Sequence, residues 1–138
     1  MLRYSLIHPE LIAALAGAGH GSKVLIADGN YPHSTGVNPR SAVVHLNLAP
    51  GTLTVTQVLR VLLDAINVES AEVMACPEGE VPAHREYQEI LGEAVPITVR
   101  ERFEFYDKVR TPDVALVIAT ADQRMCANLL LTIGTREN

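Results

Sequence analysis

The chain has no tryptophan, two phenylalanines and four tyrosines, so aromatic residues make up only 4% of its 138 positions. Each ring in a polar setting is therefore worth weighing for a specific role beyond packing. Cysteine is as scarce. Cys76 and Cys126 are too few for a disulfide framework and lie in no metal-like cluster, and a reducing cytoplasm is the compartment they suit. No basic block occurs, and 11 Lys and Arg against 16 Asp and Glu leave a net charge of −5, which argues against nucleic acid as a partner. No N-terminal stretch has the pattern of a signal peptide, and no apolar run approaches the ~20 residues of a membrane span, so no membrane is expected. There is no P-loop, no GxGxxG, no CxxC and no HExxH, and the five histidines (8, 20, 33, 45 and 84) lack metal-ligand spacing. The expectation is a protein without metal or cofactor.

What is present is a 48% hydrophobic content arranged in short alternating blocks, enough to bury the core of one domain spanning 1–138. His8-Pro9-Glu10 opens a helix with Leu11, Ile12 and Leu15 on its buried face, and Gly17, Gly19 and Gly21 stop it. Val24 to Ala27 is a short buried strand, and 30–40 is a loop with two prolines. Val43 to Leu48 reads as a strand ending at Pro50-Gly51. The spacing of Thr54 and Gln57 fits a capping box ahead of Val58, Leu59, Leu62, Leu63 and Ile66, a helix. Strands follow at 71–75 and 97–99, with a polar helix at about 83–91 between them. Val114 to Thr120 is the most strand-like run, expected at the centre of a sheet, and Ala127 to Leu131 is the last strand. This alternation predicts an α/β layered domain with a largely parallel sheet and flanking helices.

Ligands of open α/β sheets gather beyond the carboxyl ends of strands. Here those ends carry Asp28 to Tyr31, Cys76 to Glu78, Arg100 to Tyr106, and Thr120 to Asp122. Asp28, Arg102, Tyr106 and a nearby imidazole would suit a small polar ligand. Each has a plainer reading. Asp28 before Gly29 forms turns, His20 after glycines caps a helix, and Arg102 and Tyr106 are spaced as a surface pair on a helical turn. Asn128 within an apolar strand is odder, because a buried amide needs partners. His20 and Asp28 sit at opposite ends of one strand, too far apart to touch in a straight chain.

The pieces Gly19-His20-Gly21, Ala27-Asp28-Gly29-Asn30-Tyr31-Pro32, Glu101-Arg102-Phe103-Glu104-Phe105-Tyr106 and Ala127-Asn128-Leu129-Leu130-Leu131 with Gly134 fall in one order across nearly the whole chain. Together they resemble the sugar mutarotase family that includes L-fucose mutarotase and D-ribose pyranase, and the 101–106 block resembles the fucose branch. The resemblance implies an isomerase that interconverts α and β anomers of a free monosaccharide, fucose or a related sugar, with no cofactor. It implies His20 as principal acid/base with Asp28 as partner, and Arg102, Tyr106, Asn128 and Tyr31 on the sugar hydroxyls. It also implies a homo-oligomer, a decamer of stacked rings with sites at subunit boundaries. The chain departs from the family at Cys126, where a sugar-contacting tyrosine is expected, and at Ala121 in place of a glycine. Cys126 and Asp122 are further candidates of open role. A sugar-binding ring protein without turnover and a pyranase exchanging pyranose and furanose forms are the rival readings.

Overall fold

The structure, a computed structural model, describes residues 1–137. The first helix, α1 (Pro9–Gly17), starts where the sequence places it. His8 caps it by accepting the Leu11 N–H at its ring nitrogen, and Pro9 fills a position that needs no N–H. A tight turn follows, with Gly21 at φ +83°, a value that suits glycine. β1 (Lys23–Ala27) comes next, then β2 (Ala42–His45), three residues shorter at its end than the alternation suggests. α2 (Val55–Leu62) has the full reciprocal capping box between Thr54 and Gln57 and buries Val55, Val58, Leu59 and Leu62.

β3 (Val68–Met74) begins three residues earlier than predicted, and α3 (Pro82–Leu91) and β4 (Ile97–Arg100) stand close to their expected bounds. The 101–106 block opens α4 (Arg102–Val109), whose Glu101 cap accepts the N–H groups of Phe103 and Glu104. β5 (Val114–Ala119) and β6 (Leu129–Ile133) complete the chain. β6 starts two residues later than its apolar run.

These six strands form one sheet in the order β2-β5-β1-β6-β3-β4. β1, β2 and β5 run parallel, as do β3 and β4, while β6 is antiparallel to both of its neighbours, β1 and β3. Five strands thus share one direction and the sixth opposes them near the middle. β5 is interior but not central; β1 and β6 hold the middle.

The two faces are covered unequally. Val24, Ile26, Leu116, Ile118, Leu129 and Leu131 pack with Leu11, Leu59, Leu62 and Tyr87 from α1, α2 and α3. Leu25, Ala27, Val117 and Leu130 face Phe105 and Val109 of α4. Each valine, leucine, isoleucine or phenylalanine among them contributes about 1.5–3 kcal/mol when fully buried. Among the described residues no helix is long and apolar enough to cross a membrane.

Candidate functional site

Because β6 opposes the other five strands, its start lies at the edge where β1, β3 and β4 end. Asp28 follows β1, Arg102 opens α4 just past β4, and Asn128 precedes β6. A cavity of about 420 Å³ forms between them, lined by Asp28, Asn30, Tyr31, Arg102, Tyr106, Cys126 and Asn128 together with Met74, Pro77 and Met125. Six of the eight residues singled out in the sequence meet there.

Asp28 is 2% exposed. Its Oδ1 accepts the Asn30 N–H at 3.0 Å, so it does form the turn that its plainer reading proposed, and its Oδ2 accepts the Ala127 N–H at 3.1 Å. Burial raises its pKa above the usual carboxylate range; Asp122 adds to the rise, and the N–H groups of Asn30, Ala127 and Tyr31 oppose it without cancelling it. Asn128 finds its partner in the same place, its Oδ1 accepting the Asp28 N–H at 2.8 Å. Among the described residues nothing takes its Nδ2. His33 completes this corner with Nε2 at 2.9 Å from the Asp28 carbonyl, and burial lowers its pKa below the ordinary imidazole value.

Tyr31 and Tyr106 meet edge to face, with ring centroids 5.5 Å apart. The Tyr31 hydroxyl donates to the Gly36 carbonyl at 2.8 Å, so Tyr31 offers a wall more than a free hydroxyl. Arg102 Nε donates to the Tyr106 hydroxyl at 3.3 Å, and its guanidinium lies 5.5 Å from that ring. The pair is a surface pair by spacing and a cavity wall by position. Cys126, in the left-handed region at φ 58°, closes the far side. Its carbonyl is held 3.1 Å from His84 Nε2.

Two candidates lie elsewhere. Asp122 is turned away from this cavity. Its carboxylate accepts the Val55 N–H at the start of α2 and pairs with Arg124, which also reaches Glu86 and the Thr56 hydroxyl. It ties α2, α3 and the 120–128 loop together, a structural role. His20 stands at the opposite pole of β1, which spans about 16 Å at about 3.3 Å per residue. Its Nε2 lies 2.8 Å from Glu69 Oε2, its side chain is 57% exposed, and Ala18 rather than His20 caps α1. It borders a groove with Tyr4, Asn67, Thr135 and Arg136. Within one chain His20 and Asp28 do not share a site.

Sequence reading missed Glu69, His33, His84 and the Arg124 network. Glu69 is 49 residues from His20, and no local spacing announces such a pairing. Among the described residues no three His, Cys, Asp or Glu side chains gather into a metal-sized group.

A buried carboxylate, an amide, a guanidinium and a phenol thus surround one cavity at the strand ends, the place where open α/β sheets hold small molecules. The family described as the RbsD / FucU transport protein family matches residues 1–136, and the chain belongs to it. Fucose mutarotase of Mus musculus is 29% identical over 140 residues, covering 94% of this chain and 90% of that protein. D-ribose pyranase of Variovorax paradoxus (strain S110) is 33% identical over 140 residues, covering 97% and 98%. Two solved structures share the fold over 99% of this chain and 100% of theirs: Bacillus subtilis RbsD complexed with D-ribose, with TM-score 0.84 at 23% identity, and the fucose mutarotase of Streptococcus pneumoniae in complex with L-fucose, with TM-score 0.81 at 19% identity.

Proposed function

We propose that the protein is a sugar mutarotase, exchanging the α and β anomers of a free monosaccharide, fucose or a related sugar, by opening and reclosing the ring. The observation that carries this reading is the convergence of Asp28, Asn128, Arg102 and Tyr106 on one cavity. Exchange needs a base at the anomeric hydroxyl and an acid at the ring oxygen, each with a pKa near the working pH. Asp28, held above the usual carboxylate range by burial, suits one of these roles. Asn128 Nδ2, Arg102 and Tyr106 supply donors for the remaining hydroxyls.

The cavity of one chain is a proton-transfer group short. Tyr31 is tied to Gly36, and burial pushes the Cys126 thiol up to about 12. The imidazole that fits the second role is His20, exposed and oriented by Glu69 at the other pole. The reading that joins the two is a homo-oligomer, a decamer by family resemblance, in which one copy presents His20 to the Asp28 cavity of its neighbour. The cytoplasm is the compartment this proposal assigns.

Relatives of both kinds match this chain about equally, which keeps pyranose–furanose exchange as the second reading. One experiment addresses both: magnetisation transfer between the anomeric protons of L-fucose, D-ribose, D-galactose and L-rhamnose, with and without protein. Faster exchange between pyranose anomers of one sugar supports the mutarotase; exchange into furanose signals supports the pyranase. Buffer-rate exchange for every sugar, despite saturable binding, would overturn both in favour of a binding protein.

A further inference from the structure

We propose that Cys76 and Cys126 form a dithiol site in the wall of the strand-end cavity, one that a low-molecular-weight disulfide oxidises to an intrachain disulfide, changing the affinity for the cavity's occupant. The geometry comes from the sheet. β3 and β6 are antiparallel neighbours with Ala71 opposite Leu131 and Val73 opposite Leu129. β3 ends at Met74 and β6 begins at Leu129, so Cys76 follows one strand and Cys126 precedes the other at the same end of the sheet. A disulfide joins residues whose Cα atoms lie about 4.4–6.8 Å apart, so it requires the two chain segments to meet across this edge of the sheet. Both thiols are free and half-buried, and both pack on the same apolar cluster. The chain has no third cysteine, so only one intrachain pairing is available.

Their contact is felt in the chemistry of Cys126, whose thiol is raised by burial first and by a hydrogen bond with Cys76 second. Cys126 is therefore a poor opening nucleophile. Cys76 as thiolate attacks the small disulfide, forming a mixed disulfide and releasing one small thiol. Cys126 then gives up its proton and attacks the Cys76 sulfur, releasing the second. Two electrons and two protons pass from the protein dithiol to the oxidant, which leaves as two thiols. Such a bond in a reducing compartment is of the transient, sensing kind.

The consequence for the cavity is local. Cys126 and Pro77, the neighbour of Cys76, both line it. Cys126 immediately precedes Ala127, whose N–H holds the Asp28 carboxylate, and Asn128, whose Oδ1 holds the Asp28 N–H. A bond at Cys126 pulls on the strap that fixes both groups. Only the link to the sugar rests on the function proposed above; the dithiol chemistry does not.

The full protein is incubated in buffers of reduced and oxidised glutathione over a range of ratios, then quenched for intact mass, thiol counting and non-reducing peptide mapping. Both thiols are expected to disappear together as a Cys76–Cys126 peptide linked within one chain, with no covalent dimer, reversed by dithiothreitol. Cys126→Ser is expected to stop at one glutathione adduct on Cys76, and Cys76→Ser to stay reduced. Two thiols still titratable in folded wild-type protein, or glutathione adducts without the linked peptide, would overturn the site, and this wild-type result stands whether or not a variant folds. Reduced and oxidised protein are then compared for sugar saturation. A midpoint change of about fivefold or more is expected, and equal midpoints overturn the link to the cavity. If no sugar saturates either form, the functional reading has failed, and the thiol result still decides the dithiol site.

Discussion

Asp28 is buried behind the N–H groups of Asn30, Ala127 and Tyr31 at the strand-end cavity. Burial favours its protonated form, so its folded pKa lies above the ordinary 3.8. The sign follows from linkage. This carboxyl favours the folded state below pH 3.8, and the advantage is lost as pH rises through the higher folded value. The stability difference between wild type and Asp28→Asn should therefore shrink with rising pH in that window; a difference growing in wild type's favour would contradict the assignment. Asp28→Asn should also slow anomer exchange by about 10²–10⁴-fold, while Arg102→Ala should weaken sugar binding by about tenfold and leave the saturated rate closer to wild type. Saturation kinetics on the two variants separate these effects. Asp122 has the opposite sign: burial raises its pKa, but Arg124 and the N–H groups of Arg124 and Val55 outweigh that and depress it. Its stabilisation is present above pH 3.8 and fades as pH falls through the lower folded value. Asp122→Ala should cost about 2 kcal/mol in urea unfolding, with no direct loss of sugar contacts. From the sequence these two carboxylates looked alike, each following a strand. What separates them is partners some 70 to 100 positions away, Val55 for one and Ala127 for the other, which local pattern does not carry.

Among the elements, those with local causes were legible. The capping box predicts α2 and the structure contains it, so Thr54→Ala should destabilise the protein by about 1 kcal/mol; thermal unfolding with no shift in midpoint would mean that packing alone sets that terminus. The proline and glycine boundaries of α1 and β1 were equally plain. Strand direction was not, because the apolar run at 127–131 reads the same for a parallel or an antiparallel strand. The one available signal was the absence of a helical pattern between β5 and β6, since parallel neighbours need a crossover of about a dozen residues or more. The reversal of β6 is what brings Asn128 to Asp28; run the other way, the strand would deliver its carboxyl end there and leave Asn128 at the far pole.

At the scale of the whole molecule, the unresolved tension of the sequence, His20 before β1 and Asp28 after it, persists in the folded chain. β1 separates the two poles, and each holds its own group in place: Glu69 beside His20, and Asn30, Ala127 and Asn128 around Asp28. A site needing both must be shared between copies, which a mixing experiment can test. His20→Ala and Asp28→Asn subunits, each inactive alone, are unfolded together and allowed to reassemble. If a neighbour's His20 serves each Asp28 cavity, about a quarter of the boundaries in a random mixture pair an intact imidazole with an intact carboxylate. Anomer exchange should then return to about a quarter of the wild-type rate per subunit. A mixed assembly as inactive as its parents, or a wild-type protein that light scattering shows to be a stable monomer at micromolar concentration, would mean that the boundary does not complete the site. Asp28 would then have to work with the groups of its own cavity, and Arg102 and Tyr106 would be the side chains to test next.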